Sequence, residues 1–311
     1  MAAPATERTT PSFAVGAQRV VQMDGSRLAR VGARPRLGRY VRDIWNFRHF
    51  LIYDSHSRAS SQNSMDSLGR VWMVINPILQ AFVYLTIFGY ILETHRGVTN
   101  FIGYLIIGVF TFRFIQGAVT GGANSISNNQ KVVQAFNFPR AILPISSTVR
   151  ELFATVPTFV VMAVLVYFLG DMQVGDMVRE PISLSWHWLL FFPAIFLALM
   201  VMVALSLVFA RLVNAYNDVK NLVSIGTRIW FYTSAVIFSV DRFADRGHDW
   251  IMWVMYHNPA FCVLDIIRHA WLYNDFADPY RWIVLAAWAV GGTIIGFIIF
   301  WQGEETYGRE R

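Results

Sequence analysis

Charge is scarce in this 311-residue chain. Asp, Glu, Lys and Arg together make up 15% of it, against about 25% in a typical soluble domain. Lysine is scarcer still: Lys131 and Lys220 stand alone among 26 basic residues, the rest being arginine. A single cysteine, Cys262, excludes an internal disulfide and any cysteine-rich metal centre. Four stretches carry no charge at all, residues 71–92, 152–170, 181–210 and 282–303. Each has about the 20 residues a helix needs to cross a hydrocarbon core. These gaps exclude a soluble domain, a nucleic-acid binder and a disordered protein. The pattern predicts an all-α, multi-span integral membrane protein.

Catalytic signatures are missing as well. A phosphate-binding loop G-x-x-x-x-G-K-[ST] needs a Gly-Lys pair, but Lys131 follows Gln130 and Lys220 follows Val219. No histidine precedes a glutamate, so the helical zinc motif H-E-x-x-H is absent, and no G-x-S-x-G elbow occurs. Nor is there an evident polar cluster at a membrane face of the kind a membrane enzyme needs. The chain reads as a conduit, with no catalytic site, metal site or nucleotide site of its own.

What is present is a basic front end. Residues 1–69 hold ten Lys/Arg against five Asp/Glu. Residues 1–36 read as a basic, disordered tail rich in Ala, Thr, Pro, Gly and Arg. From 37 to 60, Leu37, Val41, Ile44, Trp45, Leu51 and Ile52 recur at helical spacing among Arg39, Arg42 and Arg48, which predicts an amphipathic helix lying in the membrane interface. Six spans are expected within 70–302, near 70–92, 101–123, 142–170, 188–212, 219–240 and 281–302. The third carries Arg150 and Glu151, the fifth Arg228. The loops 124–141 and 211–220 are net basic and the opposite loops acidic or balanced, so the positive-inside rule puts both termini in the cytoplasm, with 303–311 as a short C-terminal tail. Between spans five and six, residues 250–264 are apolar but too short to cross, and Asn258-Pro259 interrupts them. This predicts two short re-entrant helices broken at the proline, with Asp265 and Arg268 forming a helical i, i+3 ion pair.

Four stretches carry a family resemblance. Ser67-Leu68-Gly69-Arg70-Val71-Trp72, followed by Pro77, resembles the approach to the first span of the permease subunit in ABC-type polysaccharide exporters. Asn128-Asn129-Gln130-Lys131-Val132-Val133 and Phe138-Pro139-Arg140-Ala141-Ile142-Leu143-Pro144 resemble that family's cytoplasmic segment between spans two and three. Asn217-Asp218-Val219 sits where Arg-Asp-(Val/Ile) is usual, a departure at Asn217. Asn258-Pro259 with Arg268 matches the pattern between spans five and six. The similarity covers about 37–302 and points to the O-antigen and teichoic-acid, Wzm-like exporters. Within them the Arg-rich, Lys-poor chain looks most like the mycobacterial exporter of lipid-linked galactan.

The resemblance implies a homodimer of this chain in the cytoplasmic (inner) membrane, joined by two copies of a separate ABC ATPase that binds ATP and magnesium. The cargo would be a lipid-linked polysaccharide. Residues 124–140 would dock on the ATPase through Asn128, Lys131, Val132, Phe136, Phe138 and Arg140, with Phe136 and Lys131 as the first contacts and Pro139 stopping the helix. The interface helix, with Arg42, Trp45 and Arg48, would rest on the ATPase and inner-leaflet lipids. Tyr84, Phe88, Phe112, Arg113, Trp230 and Tyr232 would line the translocation path, aromatic faces meeting sugar C–H groups. Arg113, mid-way along span two, would bind pyrophosphate or hydroxyls, or else pair across the dimer; Arg228 would snorkel to the inner surface. Trp253, Asn258, Pro259 and Arg268 would form an outer gate. The competing readings are a drug or haem exporter, with a narrower and less aromatic path, and a membrane glycosyl- or acyltransferase, which would need a carboxylate or histidine cluster.

Overall fold

A computed structural model of the chain describes residues 35–61, 71–91, 98–136, 138–171, 180–240 and 249–307. The expected basic tail up to residue 34, the Ser67–Arg70 motif, the side chain of Phe88 and residues 308–311 lie outside the described residues. Every regular element among the described residues is helical. In order these are α1 (Leu37–Asn46), α2 (Arg48–Ser61), α3 (Trp72–Tyr84), α4 (Phe101–Ala123), α5 (Gln130–Ala135) and α6 (Ile142–Leu169). They continue with α7 (Phe191–Ala215), α8 (Val219–Thr233), α9 (Asp249–Tyr256), α10 (Pro259–Leu272) and α11 (Pro279–Gln302).

α4 is the axis of the bundle. It is apolar around most of its circumference, and a helix of that kind is stable only when neighbours cover it. It packs against α3, α6, α7, α8 and α10. Small residues allow close approach. A Cβ on Gly122 would collide with Ser206 of α7, and a Cβ on Gly296 of α11 would sit 2.7 Å from the Ala204 carbonyl. A buried hydrogen-bond stitch ties three helices together: Thr148 of α6 donates to Ser206 Oγ at 3.0 Å, and Ser206 donates to the Ala118 carbonyl at 3.2 Å. In an apolar core each such group must be satisfied internally.

Four described helices, within 101–123, 142–169, 186–215 and 279–302, are long and apolar enough to cross a membrane; the bent pair Trp250–Tyr256 and Pro259–Leu272 makes a fifth if counted as one span. The expected first span is one run of helix that changes its winding. α3 holds Pro77 and passes into a π-helical stretch, Leu85–Ile91. The expected fifth span, 219–240, is helical only as far as Thr233. Beyond it Ala235 adopts a left-handed φ of 49°, and the chain runs irregularly to Val240.

The hairpin between α8 and α11 follows its capping signals. Asn258 is the N-cap of α10, its Oδ1 accepting from Ala260 N–H at 3.0 Å, with Pro259 at N1. Asp278 and Pro279 repeat the arrangement at α11, where Asp278 accepts from Tyr280 N–H at 2.9 Å. α9 and α10 meet at 79° across this break.

The expected single helix over 37–60 is two, divided at Phe47. α2 buries Leu51, Ser55 and Ala59 and packs on α6, where Ser55 donates to the Ser146 carbonyl at 3.0 Å. α1 buries only Tyr40 and leaves Leu37, Val41 and Trp45, one apolar stripe, exposed.

Candidate functional site

A cleft of about 480 Å³ opens where α3, α4 and α8 meet. α3 supplies Gln80 and Tyr84; α4 supplies Val109, Phe112, Arg113 and Gln116; α8 supplies Arg228, Phe231 and Tyr232. These positions recur every three or four residues on each helix, so each helix presents one face to the same space. The wall is a ladder of edge-to-face rings: Phe112 meets Phe231 at 5.2 Å and Trp230 at 5.9 Å, while Phe231 meets Tyr232 at 5.3 Å. Arg113 is exposed to the cleft and donates to Gln80 Oε1 at 2.5 Å.

The structure therefore brings Tyr84, Phe112, Arg113 and Tyr232 together. Trp230 stands behind them, its indole N–H donating to Asn258 Oδ1 at 2.8 Å. Phe112 itself is buried and forms wall rather than surface. Arg228, expected at the inner surface, is exposed on this cleft. Gln80 and Gln116 were missed: a lone glutamine in an apolar run gives no sign of which way it faces. Two further aromatics of span two, Tyr104 and Phe114, are core residues; Phe114 packs on Phe159 at 5.6 Å.

The segment between α4 and α6 is a 3-10 turn, Ser127–Asn129, and the short α5. Asn128, Lys131, Val132 and Phe136 are exposed, and the Phe136 ring is 66% accessible. Val133 is buried and anchors the segment. α5 ends at Ala135, four residues ahead of Pro139. Phe138 is half-buried.

Arg140 is not available as a docking contact, because it is engaged within the fold. Its Nη1 donates to the Glu304 carbonyl at 2.7 Å and its backbone N–H to Glu304 Oε1 at 3.1 Å. The other carboxylate oxygen accepts from the Tyr40 hydroxyl at 2.7 Å, and that hydroxyl accepts from Ala141 N–H at 3.0 Å. α1, the start of α6 and the chain after α11 thus close on one buried polar node. Burial raises the Glu304 carboxyl pKa, while Tyr40 and Arg140 oppose the rise. Burial, reinforced by Glu304, pushes the Tyr40 hydroxyl far upward, so it stays a donor.

On α1, Arg42 and Trp45 are exposed. Arg48 folds back from α2, donating to the Trp45 carbonyl at 3.0 Å with its guanidinium 5.1 Å from the indole ring.

At the hairpin, Trp253 is exposed and Pro259 buried. Asn258 couples the elbow to the end of α8. Besides accepting from Trp230, it donates to Ser234 Oγ at 2.9 Å and to the Thr233 carbonyl at 3.3 Å. The expected Asp265–Arg268 pair does not form. Asp265 meets Arg281 at 3.2 Å. Arg268 is fully buried and donates to the carbonyls of Ala235 at 3.1 Å, Val236 at 3.0 Å and Tyr104 at 3.3 Å, its guanidinium 3.3 Å from the Tyr104 ring. The first two carbonyls lie in the irregular segment after α8 and the third on α4. Arg268 is a staple for the irregular segment, not a surface gate residue.

A bundle of long apolar helices thus borders a polar, aromatic cleft, and a short exposed helix joins α4 to α6. Residues 57–272 match the ABC-2 type transporter family, and the chain belongs to that family. It is similar to the O-antigen export system permease protein RfbA of Myxococcus xanthus, 22% identical over 273 residues that cover 88% of this chain and 96% of the relative. It is also similar to a protein of that name from Klebsiella pneumoniae, 25% identical over 235 residues, covering 75% and 83%. The polysialic acid transport protein KpsM of Escherichia coli is 20% identical over 243 residues, covering 76% and 87%.

Proposed function

We propose that this chain is the translocation subunit of an ATP-driven exporter that moves a lipid-linked polysaccharide, of the galactan or O-antigen type on a polyprenyl diphosphate, out through the cytoplasmic membrane. Two copies assemble with two copies of a separate ATPase, which holds the ATP and magnesium. Both termini lie in the cytoplasm. The observation that carries the reading is the cleft between α3, α4 and α8: its rings offer apolar faces to sugar C–H groups, and its Gln, Tyr and Arg side chains offer hydrogen bonds. The names of the similar proteins support the same substrate class.

Force would enter at α5, where Phe136 and Lys131 are exposed. An exposed aromatic beside an exposed Val132 suits a groove on a partner. α1 would lie on the inner leaflet through Leu37, Val41 and Trp45, with Arg39 and Arg42 at the head-group level. The hairpin α9–α10 would close the outer end. The test is co-purification with the ATPase, followed by turnover in the presence of lipid-linked glycan. Stable association and stimulated ATP hydrolysis are expected. Failure of the ATPase to associate, with the chain well folded, would remove the proposal.

A further inference from the structure

A second recess, of about 210 Å³, lies at the end of α4 opposite α5, where α10 and the start of α11 meet Tyr104. Its walls mix rings with both signs of charge. Tyr104 and Tyr256 supply rings, Asp265 and Asp278 carboxylates, His269 an imidazole. Two arginines also border it. Arg268 is held by three carbonyls; Arg281 is held by Asp265, with its guanidinium 3.7 Å from the Tyr256 ring.

One polar pair in this lining is unfinished. Asp265 gives Oδ2 to Arg281, while its Oδ1 stands 4.0 Å from His269 Nε2, beyond hydrogen-bond reach. The two side chains are 21% and 34% accessible, so a ligand can reach both. The carboxylate favours the tautomer with hydrogen on Nε2. A hydroxyl set beside the pair donates to Oδ1 and accepts from Nε2–H, which uses both functions of one O–H group.

The rest of the lining selects the ligand class. A metal ion would meet two guanidinium groups, and among the described residues no three metal-ligating side chains converge. An anion would meet Asp265 and Asp278, and a lipid chain would strand polar groups. A neutral ring with several hydroxyls suits the walls: aromatic faces for its C–H groups, carboxylate and imidazole for its O–H groups. Against roughly 30 Å³ for one water in the liquid, the recess has room for a single sugar ring and not for a chain.

Resting on the export reading for the direction of travel, we propose that this recess is a sugar subsite at the outer end of the path. It holds one neutral ring of the departing glycan, with a hydroxyl bridging Asp265 and His269. Most of its lining belongs to α9, α10 and the start of α11, so an occupied site ties the cargo to the hairpin that would close the outer end.

The test uses the whole complex, this chain with its ATPase, in nanodiscs of phosphatidylcholine, because sugar-headed detergents would compete. The probes are the methyl glycosides of galactose, mannose and glucose, their monodeoxy variants, cyclohexanol and inorganic phosphate. Saturation-transfer NMR of the ligand reads binding. A diazirine-bearing form of the tightest glycoside, followed by peptide mass mapping, reads the place. At least one glycoside is expected to bind with a dissociation constant on the order of 1 mM, about ten-fold or more tighter than cyclohexanol. Its label should fall between residues 256 and 281. Removing one particular hydroxyl should weaken binding about ten-fold and the others less, since a bond to a charged group is the stronger kind. His269→Phe keeps a ring against Tyr273 and removes Nε2; it and Asp265→Asn should each weaken binding about ten-fold.

All three glycosides binding no better than cyclohexanol would overturn the proposal. So would labelling confined to the cleft between α3, α4 and α8, or wild-type affinity in both variants. Phosphate binding tighter than every glycoside would mark an anion site and overturn it equally. Should the variants fail to fold, the deoxy series and the labelled positions on the wild type decide. Sugar binding is scored without nucleotide, so its failure leaves untouched the ATPase capture and glycan-stimulated turnover by which the export reading is judged.

Discussion

Replacing Tyr40 by Phe removes one oxygen atom from a buried node and nothing else of its shape. That oxygen donates to Glu304 Oε2 at 2.7 Å and accepts from Ala141 N–H at 3.0 Å. The first bond is charge-assisted, and the second leaves a buried N–H without its acceptor; together they amount to roughly 2–4 kcal/mol. The ring stays and keeps its contact with Phe297, at 5.7 Å, so the loss is polar rather than a cavity. The measurement is the thermal unfolding midpoint of the purified protein in detergent, expected to fall by roughly 3–6 °C. A midpoint within about one degree of wild type would refute the reasoning. The same node gives a pH signature. Burial sets the folded pKa of Glu304 above its unfolded value, so folding favours the protonated form. Stability is then greatest below the ordinary carboxylate range and declines as pH rises through the raised value. Glu304→Gln cannot ionise and should flatten that decline; an unchanged pH slope would count against the assignment.

Other perturbations separate docking from structure. Phe136→Ala combined with Lys131→Glu should leave the stability within about 0.5 kcal/mol of wild type, since both side chains are exposed, yet abolish capture of the ATPase; normal capture would remove the docking role. Arg268→Met removes the guanidinium donors from the carbonyls of Ala235, Val236 and Tyr104, of which Ala235 keeps the Tyr104 hydroxyl, and should cost about 1–3 kcal/mol, checked by thermal unfolding; a loss under about 0.5 kcal/mol would show that water replaces the guanidinium. Asn258→Ala removes the α10 cap, about 0.5–2 kcal/mol, and should shift the emission of Trp230, whereas Asn258→Asp keeps an acceptor for Trp230 and should shift it less.

Much of this architecture is written locally. The charge-free runs mark the long helices, and Asn258-Pro259 marks the start of α10 because an Asx cap followed by proline has one good use in a helical chain. Contacts between distant segments leave no such trace. Asp265 and Arg268 look like a pair on sequence spacing, but Asp265 is claimed by Arg281, and Arg268 by a backbone segment some 30 residues upstream. Arg140 and Glu304 are 164 positions apart, and nothing in either neighbourhood announces the other. The end of α8 at Thr233 is equally hidden: the residues after it are mostly apolar, and the left-handed turn at Ala235 is held by hydrogen bonds from the distant Arg268 and Tyr104 to its carbonyl. In the cleft, Tyr84, Phe112 and Tyr232 were candidates as aromatic faces within the spans, and Arg113 because an arginine midway along an apolar span is costly. Gln80 and Gln116 were not, since glutamine carries no comparable cost.

The most direct measurement is transfer of a labelled lipid-linked glycan across sealed proteoliposomes containing this chain with and without its ATPase. Accumulation on the far side is expected only when the ATPase and hydrolysable ATP are both present. Equal accumulation with this chain alone, or without nucleotide, would contradict the claim that it is the passive half of an ATP-powered conduit.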